Sequence, residues 1–173
     1  MGKDSVNRTI TRLSHEILET HNNNNLIVLI GIHRRGVFLA SRIKSKIKQI
    51  SGFDLETGSL DITFHRDDFR ERLVVPKVKG TDISFSLEGK VVILVDDVLY
   101  TGRTIRASLD EINSFGRPAK VQLAVLVDRG HRELPIKADF IGKNIPTHEG
   151  EHVNVNLSEV DEQDAVFLMR NKK

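Results

Sequence analysis

Apolar residues along the chain follow two patterns that alternate with each other. Runs of apolar residues within 26–32, 91–95 and 120–130 predict strands that are buried on both faces. Helical spacing of apolar side chains predicts amphipathic helices at 5–21, 37–50 and 104–116. Shorter strands are predicted at 59–65, 138–147, 152–157 and 165–170. Because strands and helices alternate, we expect an α/β fold with a central, mostly parallel sheet flanked by helices.

One segment interrupts this alternation. Residues 66–89, RDDFRERLVVPKVKGTDISFSLEG, are charged and carry little sustained periodicity. They predict a long hairpin or a mobile loop, and long loops in compact domains are often functional. We therefore expect residues 1–173 to form a single domain with a flexible loop at about 66–84.

The composition narrows the class of protein. Hydrophobic residues make up 39% of the 173 residues and charged residues 29%, as in an ordinary globular domain. The net charge is +2, from 26 basic and 24 acidic residues, which excludes a polycation. The chain has no cysteine, so disulfides, zinc–thiolate sites and thiol catalysis are excluded. We expect a cytoplasmic protein without membrane contact, since no apolar run is long enough to cross a bilayer.

Polar clusters follow each of the three buried strands. They are His33-Arg34-Arg35-Gly36, then Asp96-Asp97 with Tyr100-Thr101-Gly102-Arg103-Thr104, and finally Asp128-Arg129-Gly130. Because parallel strands end at the same edge of a sheet, the three clusters are expected to lie together, where ligands bind in such folds.

The middle cluster combines two kinds of binding group. A Thr-Gly-x-Thr loop that enters a helix offers backbone N–H donors, hydroxyls and the positive end of the helix dipole, which suits a phosphate monoester. Gly102 lets the backbone approach the anion closely. The carboxylates of Asp96 and Asp97 repel phosphate, but they suit sugar hydroxyls or a magnesium ion. A ligand with a sugar diol near a phosphate satisfies both groups, and Arg34 and Arg35 can bind a second anion.

Each of these fragments also has a simpler interpretation. Two aspartates after a strand are often only a solvated turn, and Thr-Gly is often only a helix cap. Their union in one contiguous strand, loop and helix favours the ligand site. The two common phosphate-binding loops, GxxxxGK[ST] and GxGxxG, are absent from the sequence.

These residues resemble a known family. VILVDDVLYTGRT is similar to the PRPP-binding signature of the type I phosphoribosyltransferases. With QLAVLVDRGHRELP and IGKNIPT it resembles the PyrR family of bifunctional pyrimidine-operon regulators and uracil phosphoribosyltransferases, from about Thr11 to near Asp164. The resemblance implies the type I fold with a flexible loop and a small hood. It also implies conversion of uracil and PRPP to UMP and pyrophosphate, with Mg²⁺ as cofactor.

The resemblance assigns roles to the strand-end residues. Asp96 and Asp97 would take part in catalysis by holding the ribose hydroxyls, and would hold the metal indirectly, through PRPP or water. Arg35 would be catalytic at the pyrophosphate, with Arg34 beside it in the PRPP site. The 5′-phosphate would be held by the loop of Leu99, Tyr100, Thr101, Gly102, Arg103 and Thr104. The base would lie against Asp128, Arg129, Ile141 and Lys143, and the loop at about 66–84 would close over PRPP.

Two positions bear on specificity and binding. Purine-specific relatives commonly have an aspartate at the place of Tyr100, so this residue favours a pyrimidine, although it can also be an ordinary loop aromatic. PyrR proteins commonly have Thr-Arg-Gly in the first turn, where this chain has Arg34-Arg35-Gly36. The additional cation can strengthen anion binding, or it can clash or change the turn.

The resemblance also implies RNA binding. UMP would favour binding to the leader of pyrimidine-operon mRNA and so promote attenuation of transcription. The matching residues are Thr11, Arg12, His15, Arg132, Lys137 and Lys143. Charge alone does not favour this function, since basic residues on a helix exterior are usually only solvated. A homodimer or a higher homo-oligomer is expected to supply the concave basic surface. The alternatives are a phosphoribosyltransferase with another base preference and no RNA binding, and an RNA-binding regulator with little catalysis.

Overall fold

The central sheet is parallel throughout. In the computed structural model, which describes residues 1–22, 26–62 and 80–170, five strands form this sheet in the order β2-β1-β3-β4-β5. The strands are β1 (Ile27–Ile32), β2 (Glu56–Leu60), β3 (Val91–Leu99), β4 (Lys120–Asp128) and β5 (Phe140–Asn144). The predicted α/β fold with a parallel sheet is therefore confirmed.

Helices cover both faces of the sheet, because alternate residues of the central strands are buried on opposite sides. Leu29, Ile93 and Leu126 pack against the helices α1 and α2 on one face. Leu94 and Val125 pack against α3 on the other face. The helices are α1 (Lys3–Thr20), α2 (Arg35–Ser51) and α3 (Arg103–Ile112), which continues as a short 3₁₀ turn (Asn113–Phe115). Across the described ranges, none of the helices is long and apolar enough to cross a membrane.

A second, smaller sheet follows the main one. Its strands β6 (Glu151–Asn156) and β7 (Ala165–Arg170) pair in antiparallel register. We call residues 151–170 the hood. The strand predicted at 165–170 is confirmed, and it pairs with β6 rather than with the central sheet.

Several boundaries differ from the sequence prediction. The strand predicted at 59–65 lies at Glu56–Leu60, because its register with β1 ends at the pair Ile32 and Leu60. The strand predicted at 91–95 continues through both aspartates to Leu99, because β4 pairs with it along its whole length. The helix predicted to begin at residue 37 begins at Arg35. The predicted flexible loop at 66–84 lies mostly outside the described residues, which resume at residue 80.

Arg42 attaches the hood to helix α2. Its Nη1 and Nη2 donate to the two carboxylate oxygens of Asp164 at 2.9 and 2.7 Å, and its Nε donates to Glu159 at 2.7 Å. The side chain of Asp164 is only 4% exposed. The hydrogen bonds from Arg42 and from the Ser158 N–H lower the pKa of Asp164 to about 2. The carboxylate therefore stays charged in the folded protein where a free aspartate is partly protonated.

This pair predicts a specific loss of stability in acid. Because the pKa of Asp164 is lower in the folded chain than in the unfolded chain, its contribution is complete above about pH 4 and is lost as the pH falls towards 2. The contribution is about 2 kcal/mol. The free energy of unfolding, measured with urea, is expected to fall between pH 6 and pH 3 by less in Asp164→Asn than in the unaltered protein. An equal loss in both proteins would contradict this assignment.

Candidate active site

The three polar clusters meet at the carboxyl edge of the sheet, as the sequence predicts. β1 and β3 pair up to Gly31 and Val95, so His33 and Asp96 each follow at this edge. Leu99 at the end of β3 pairs with Asp128 at the end of β4. The site is thus built from neighbouring strand ends of one rigid sheet.

The two aspartates differ in their surroundings. Asp96 is only 6% exposed, and its Oδ1 accepts a hydrogen bond from the backbone N–H of Asp97 at 2.9 Å. Asp97 is half-buried and more accessible to a ligand. Asp97 therefore has the better position for direct contact with a sugar hydroxyl, and Asp96 fixes the backbone that carries it.

The loop after β3 has the shape that the Thr-Gly-x-Thr pattern predicts. Gly102 is the residue before α3 and adopts the left-handed conformation with φ of 93°. A Cβ at this position would lie 3.3 Å from Ile136 and 3.4 Å from Leu134. Glycine is thus required here both by its dihedral angle and by its neighbours. We call residues 99–104 the phosphate loop.

A neighbouring segment fixes the peptide planes of the phosphate loop. The carbonyl of Tyr100 accepts a hydrogen bond from Arg132 Nη1 at 2.7 Å. The carbonyl of Thr101 accepts from the N–H groups of Glu133 and Leu134 at 3.0 and 3.1 Å. In a trans peptide the N–H points away from the carbonyl. The N–H groups of Thr101 and Gly102 therefore face away from residues 132–134. An anion on that side of the loop would meet these N–H groups and not the two carbonyls.

Arg132 is the centre of this arrangement. Its guanidinium also donates to the Asp128 carboxylate, to the carbonyl of Gly130 at 3.2 Å and to the carbonyl of Ile136 at 3.0 Å. The sequence resemblance assigns Arg132 to RNA binding, whereas its contacts in the structure are within the protein. The sequence signal for these internal contacts is the DRGHR spacing, which places Arg132 four residues after Asp128 at the end of β4.

The proposed base end of the site involves a stacked pair. The guanidinium of Arg129 lies over the ring of Tyr100, 3.9 Å from its centre. Arg129 also donates to the carbonyl of Glu151 at 2.7 Å and to the Thr147 hydroxyl at 3.2 Å. Arg129 therefore connects the phosphate loop with the start of the hood. Tyr100 is 43% exposed, so part of its ring remains accessible.

The other predicted base contacts lie on β5. Ile141 pairs with Val125 and Lys143 pairs with Val127 in the parallel ladder, so Lys143 lies one position before the Asp128 level. Lys143 is exposed, and Asp128 is held by the N–H of Gly130 at 2.9 Å in addition to Arg132. The predicted base-binding residues are thus brought to adjoining strand ends.

Arg35 is paired with a residue that the sequence did not indicate. Its Nε and Nη2 donate to the two oxygens of Asp161 at 3.1 and 2.9 Å. The hydrogen bond to Asp161 is the main cause that raises the pKa of Arg35, and the charge of Asp97 contributes. Arg34 is exposed, directly before the helix, and its charge helps to lower the pKa of Asp161. Both arginines therefore lie within electrostatic reach of the hood and the site.

The residues assigned to RNA binding are only partly brought together. Arg12 on α1 donates to the carbonyls of Ile141, at 3.1 Å, and Gly142, which places the helix beside Lys143. His15 is exposed on the same helix. Lys137 lies two residues before Asp139, whose N–H donates to the carbonyl of Leu123 near the start of β4 at 2.9 Å. The remaining residue, Thr11, bonds through its hydroxyl to the carbonyl of Asn7 at 3.0 Å.

Comparisons with known proteins agree with this fold. Residues 3–159 match the family model described as phosphoribosyl transferase domain. The hypoxanthine phosphoribosyltransferase of Trypanosoma cruzi superposes with a TM-score of 0.74 at 17% identity, covering 99% of this chain and 95% of that one. The corresponding Staphylococcus aureus enzyme gives 0.66 at 20% identity, covering 83% and 74%. At these identities the structures show a shared fold.

Sequence relatives are much closer. The Bifunctional protein PyrR of Clostridioides difficile strain 630 is 55% identical over 168 residues, which cover 97% of this chain and 95% of that protein. The protein of the same name from Elusimicrobium minutum is 51% identical, covering 96% and 93%. The chain belongs to the PyrR family of phosphoribosyl transferase domain proteins. The resemblance seen in the sequence motifs is therefore confirmed.

The geometry of the phosphate loop predicts a strong effect of Gly102→Ala. The added Cβ would strain a left-handed residue and press on Ile136, which would displace the loop. Binding of UMP, measured by calorimetry, is expected to weaken by about tenfold or more. Gly150→Ala is the matched control, because Gly150 has a φ of 78° with no atom near its absent Cβ. Unchanged UMP affinity in the Gly102 variant would contradict the phosphate loop.

Proposed function

We propose that this protein transfers the phosphoribosyl group of PRPP to uracil, releasing UMP and pyrophosphate. We also propose that UMP promotes its binding to the leader of pyrimidine-operon mRNA, which attenuates transcription in the cytoplasm. The observation that carries the proposal is the union of Asp96 and Asp97 with an N–H-lined loop at one edge of the sheet. Identity of 51–55% to proteins named Bifunctional protein PyrR supports both activities.

The phosphate loop would position the sugar. The N–H groups of Thr101 and Gly102, with the positive end of α3, would hold the 5′-phosphate. The carboxylate of Asp97 would accept hydrogen bonds from ribose hydroxyls, while buried Asp96 keeps the Asp97 backbone in place. Two ends of the ligand would thus be fixed by parts of one continuous segment. This favours a reaction that depends mainly on orientation.

The reaction would need charge stabilisation more than covalent chemistry. Departure of pyrophosphate leaves positive character on the anomeric carbon, as in glycoside cleavage. The carboxylates of Asp96 and Asp97 would lie on the side where this charge develops. The guanidinium of Arg35, with Arg34 beside it, would balance the negative charge of the leaving group.

Mg²⁺ fits the chemistry of these donors. Carboxylate oxygens are hard ligands of the kind that magnesium prefers. Within the ranges that the structure describes, no three His, Cys, Asp or Glu side chains come together as a metal site. Asp96 and Asp97 would therefore hold the ion indirectly, through PRPP oxygens or water. When bound, it would supply further positive charge beside the pyrophosphate.

The base would lie between the ends of β4 and β5. Asp128 and the exposed Lys143 offer an acceptor and a donor for the polar edge of uracil. Arg129 and Ile141 would complete this wall. Tyr100 carries no carboxylate that could accept a proton from a purine ring, which favours a pyrimidine. The loop proposed to close over PRPP, at about 66–84, lies mostly outside the described residues.

A base panel tests the enzymatic proposal. Purified protein with PRPP and Mg²⁺ is expected to release pyrophosphate with uracil, and little with hypoxanthine or guanine. Asp97→Asn is expected to lower kcat by about 100-fold, because it removes charge opposite the developing cation. Glu159→Gln, which alters a carboxylate outside the site, serves as the control. Preferred turnover of a purine, or full activity of the Asp97 variant, would contradict the proposal.

An RNA surface would run along α1 to the end of β5. Arg12 joins these two elements through the carbonyls of Ile141 and Gly142, and Thr11, His15 and Lys143 flank the junction. Phosphates of a hairpin would contact Lys143 and the helix face, and a second protomer in a homodimer would extend the surface. Arg132 and Lys137 would contribute at its margins, Arg132 also by holding the phosphate loop.

Replacement of Thr11 and His15 by alanine tests this surface without disturbing the catalytic edge. Binding to a pyrimidine-leader hairpin with UMP present is expected to weaken by about tenfold, and to weaken further as salt rises. Lys120→Ala is the control, since Lys120 is exposed at the opposite end of β4 from the site. Unchanged affinity in the double variant would remove the surface. Arg132 is unsuitable for this test because its loss would also disturb the phosphate loop.

A further inference from the structure

Asp161 binds one edge of the Arg35 guanidinium and does not contact the other edge. The carboxylate receives the hydrogen bonds of Nε and Nη2, at 3.1 and 2.9 Å. A guanidinium has five N–H donors in a rigid plane, so the two N–H groups of Nη1 and one of Nη2 lie outside this contact. These are the groups with which an arginine forms paired hydrogen bonds to a phosphate. The contact thus orients Arg35 without occupying its whole donor set.

The Asp161 carboxylate is itself fixed in place. Its Oδ2 accepts a hydrogen bond from the N–H of Leu157 at 2.8 Å, and its own N–H bonds to the Leu157 carbonyl at 2.7 Å. The Asp161 side chain is 18% exposed. The hydrogen bond from Arg35, followed by that from Leu157, lowers its pKa, so it is ionised at neutral pH. Asp161 is therefore a rigid, charged support.

Arg35 lies at a position where orientation matters. It is the first residue of α2, directly after β1, at the carboxyl edge of the sheet. It is near enough to Asp97 for that charge to affect its pKa. Arginine side chains have several rotatable bonds, so holding one in a single conformation costs side-chain entropy. A partner that holds the side chain before the ligand arrives removes this cost from binding.

We propose that Asp161 is a positioning residue of the leaving-group site, which holds Arg35 ready to bind the pyrophosphate group of PRPP. This inference rests on the proposed function, since it takes the pyrophosphate role of Arg35 from there. It assigns to the hood a part in PRPP recognition that acts through Arg35. The ligand group that Asp161 would help to bind is a diphosphate, and binding of the base should not be affected.

Attachment of the hood does not by itself account for the pair. The neighbouring Arg42 already connects α2 to the same segment through Asp164 and Glu159. The two aspartates are three residues apart, and each accepts two hydrogen bonds from an arginine of the same helix, Asp161 from Nε and Nη2 of Arg35 and Asp164 from Nη1 and Nη2 of Arg42. They differ in that Arg35 lies at the site and Arg42 lies nearly two turns along the helix. Asp164 is therefore a matched control for Asp161.

Steady-state kinetics and pyrophosphate binding test the proposal with Asp161→Asn and Asp164→Asn. The Asp161 variant is expected to raise the KM for PRPP by about tenfold, with the KM for uracil changed less than about twofold. Its affinity for magnesium pyrophosphate, measured by calorimetry without turnover, should fall by a similar factor. Asp164→Asn should lower the melting temperature but leave the KM for PRPP and the affinity for magnesium pyrophosphate unchanged. Asp161→Glu, which keeps the charge one methylene further out, should recover part of the lost affinity, and it carries the test if the Asn variant does not fold.

The outcomes separate this inference from the proposed function. If Arg35→Met weakens pyrophosphate binding but Asp161→Asn does not, the support role is wrong and the site stands. If Arg35→Met also leaves pyrophosphate binding unchanged, the proposed role of Arg35 is wrong as well. Tighter PRPP binding by Asp161→Asn would show that the carboxylate competes with the substrate, which overturns the inference. Equal effects of the Asp161 and Asp164 variants on the KM for PRPP would show that Asp161 only attaches the hood, which also overturns the inference.

Discussion

The orientation of two peptide planes is the constraint on which the site depends. The carbonyls of Tyr100 and Thr101 are both bound by residues 132–134, so the N–H groups that follow them face the opposite direction. Short loops can present either carbonyls or N–H groups to a ligand, and only the second choice suits a phosphate. Here residues 132–134, from a different part of the chain, set this orientation. The proposed anion site is therefore preorganised by contacts that do not involve the ligand.

Arginines connect this site to the hood. Arg129 stacks on Tyr100 and bonds to the start of β6, while Arg35 bonds to Asp161 between β6 and β7. Arg42 holds the same segment further along α2. Guanidinium groups suit this work because each can make two parallel hydrogen bonds and still keep donors for another partner. The hood and the proposed ligand groups are thus joined by single side-chain contacts of Arg129 and Arg35.

Local features of the site could be predicted from the sequence, and pairings between distant segments could not. The strand, the aspartates and the Thr-Gly turn lie within one stretch of chain, where spacing alone sets their relation. The contact of Arg35 with Asp161 joins residues 126 positions apart, and nothing in local periodicity indicates it. The resemblance assigns Arg132 to RNA binding, and the sequence does not show that its guanidinium also binds the Tyr100 carbonyl and the Asp128 carboxylate. The strand predicted at 59–65 began too late, since parallel pairing with β1 overrides the alternation seen there.

A crystal structure of the complex with UMP tests the central claim most directly. The account predicts phosphate oxygens within about 3 Å of the backbone nitrogens of Thr101 and Gly102. It also predicts ribose hydroxyls on the carboxylate of Asp97, with Tyr100 and Thr101 still bonded through their carbonyls to residues 132–134. A phosphate bound away from these nitrogens, or a loop whose carbonyls have turned towards the ligand, would contradict it.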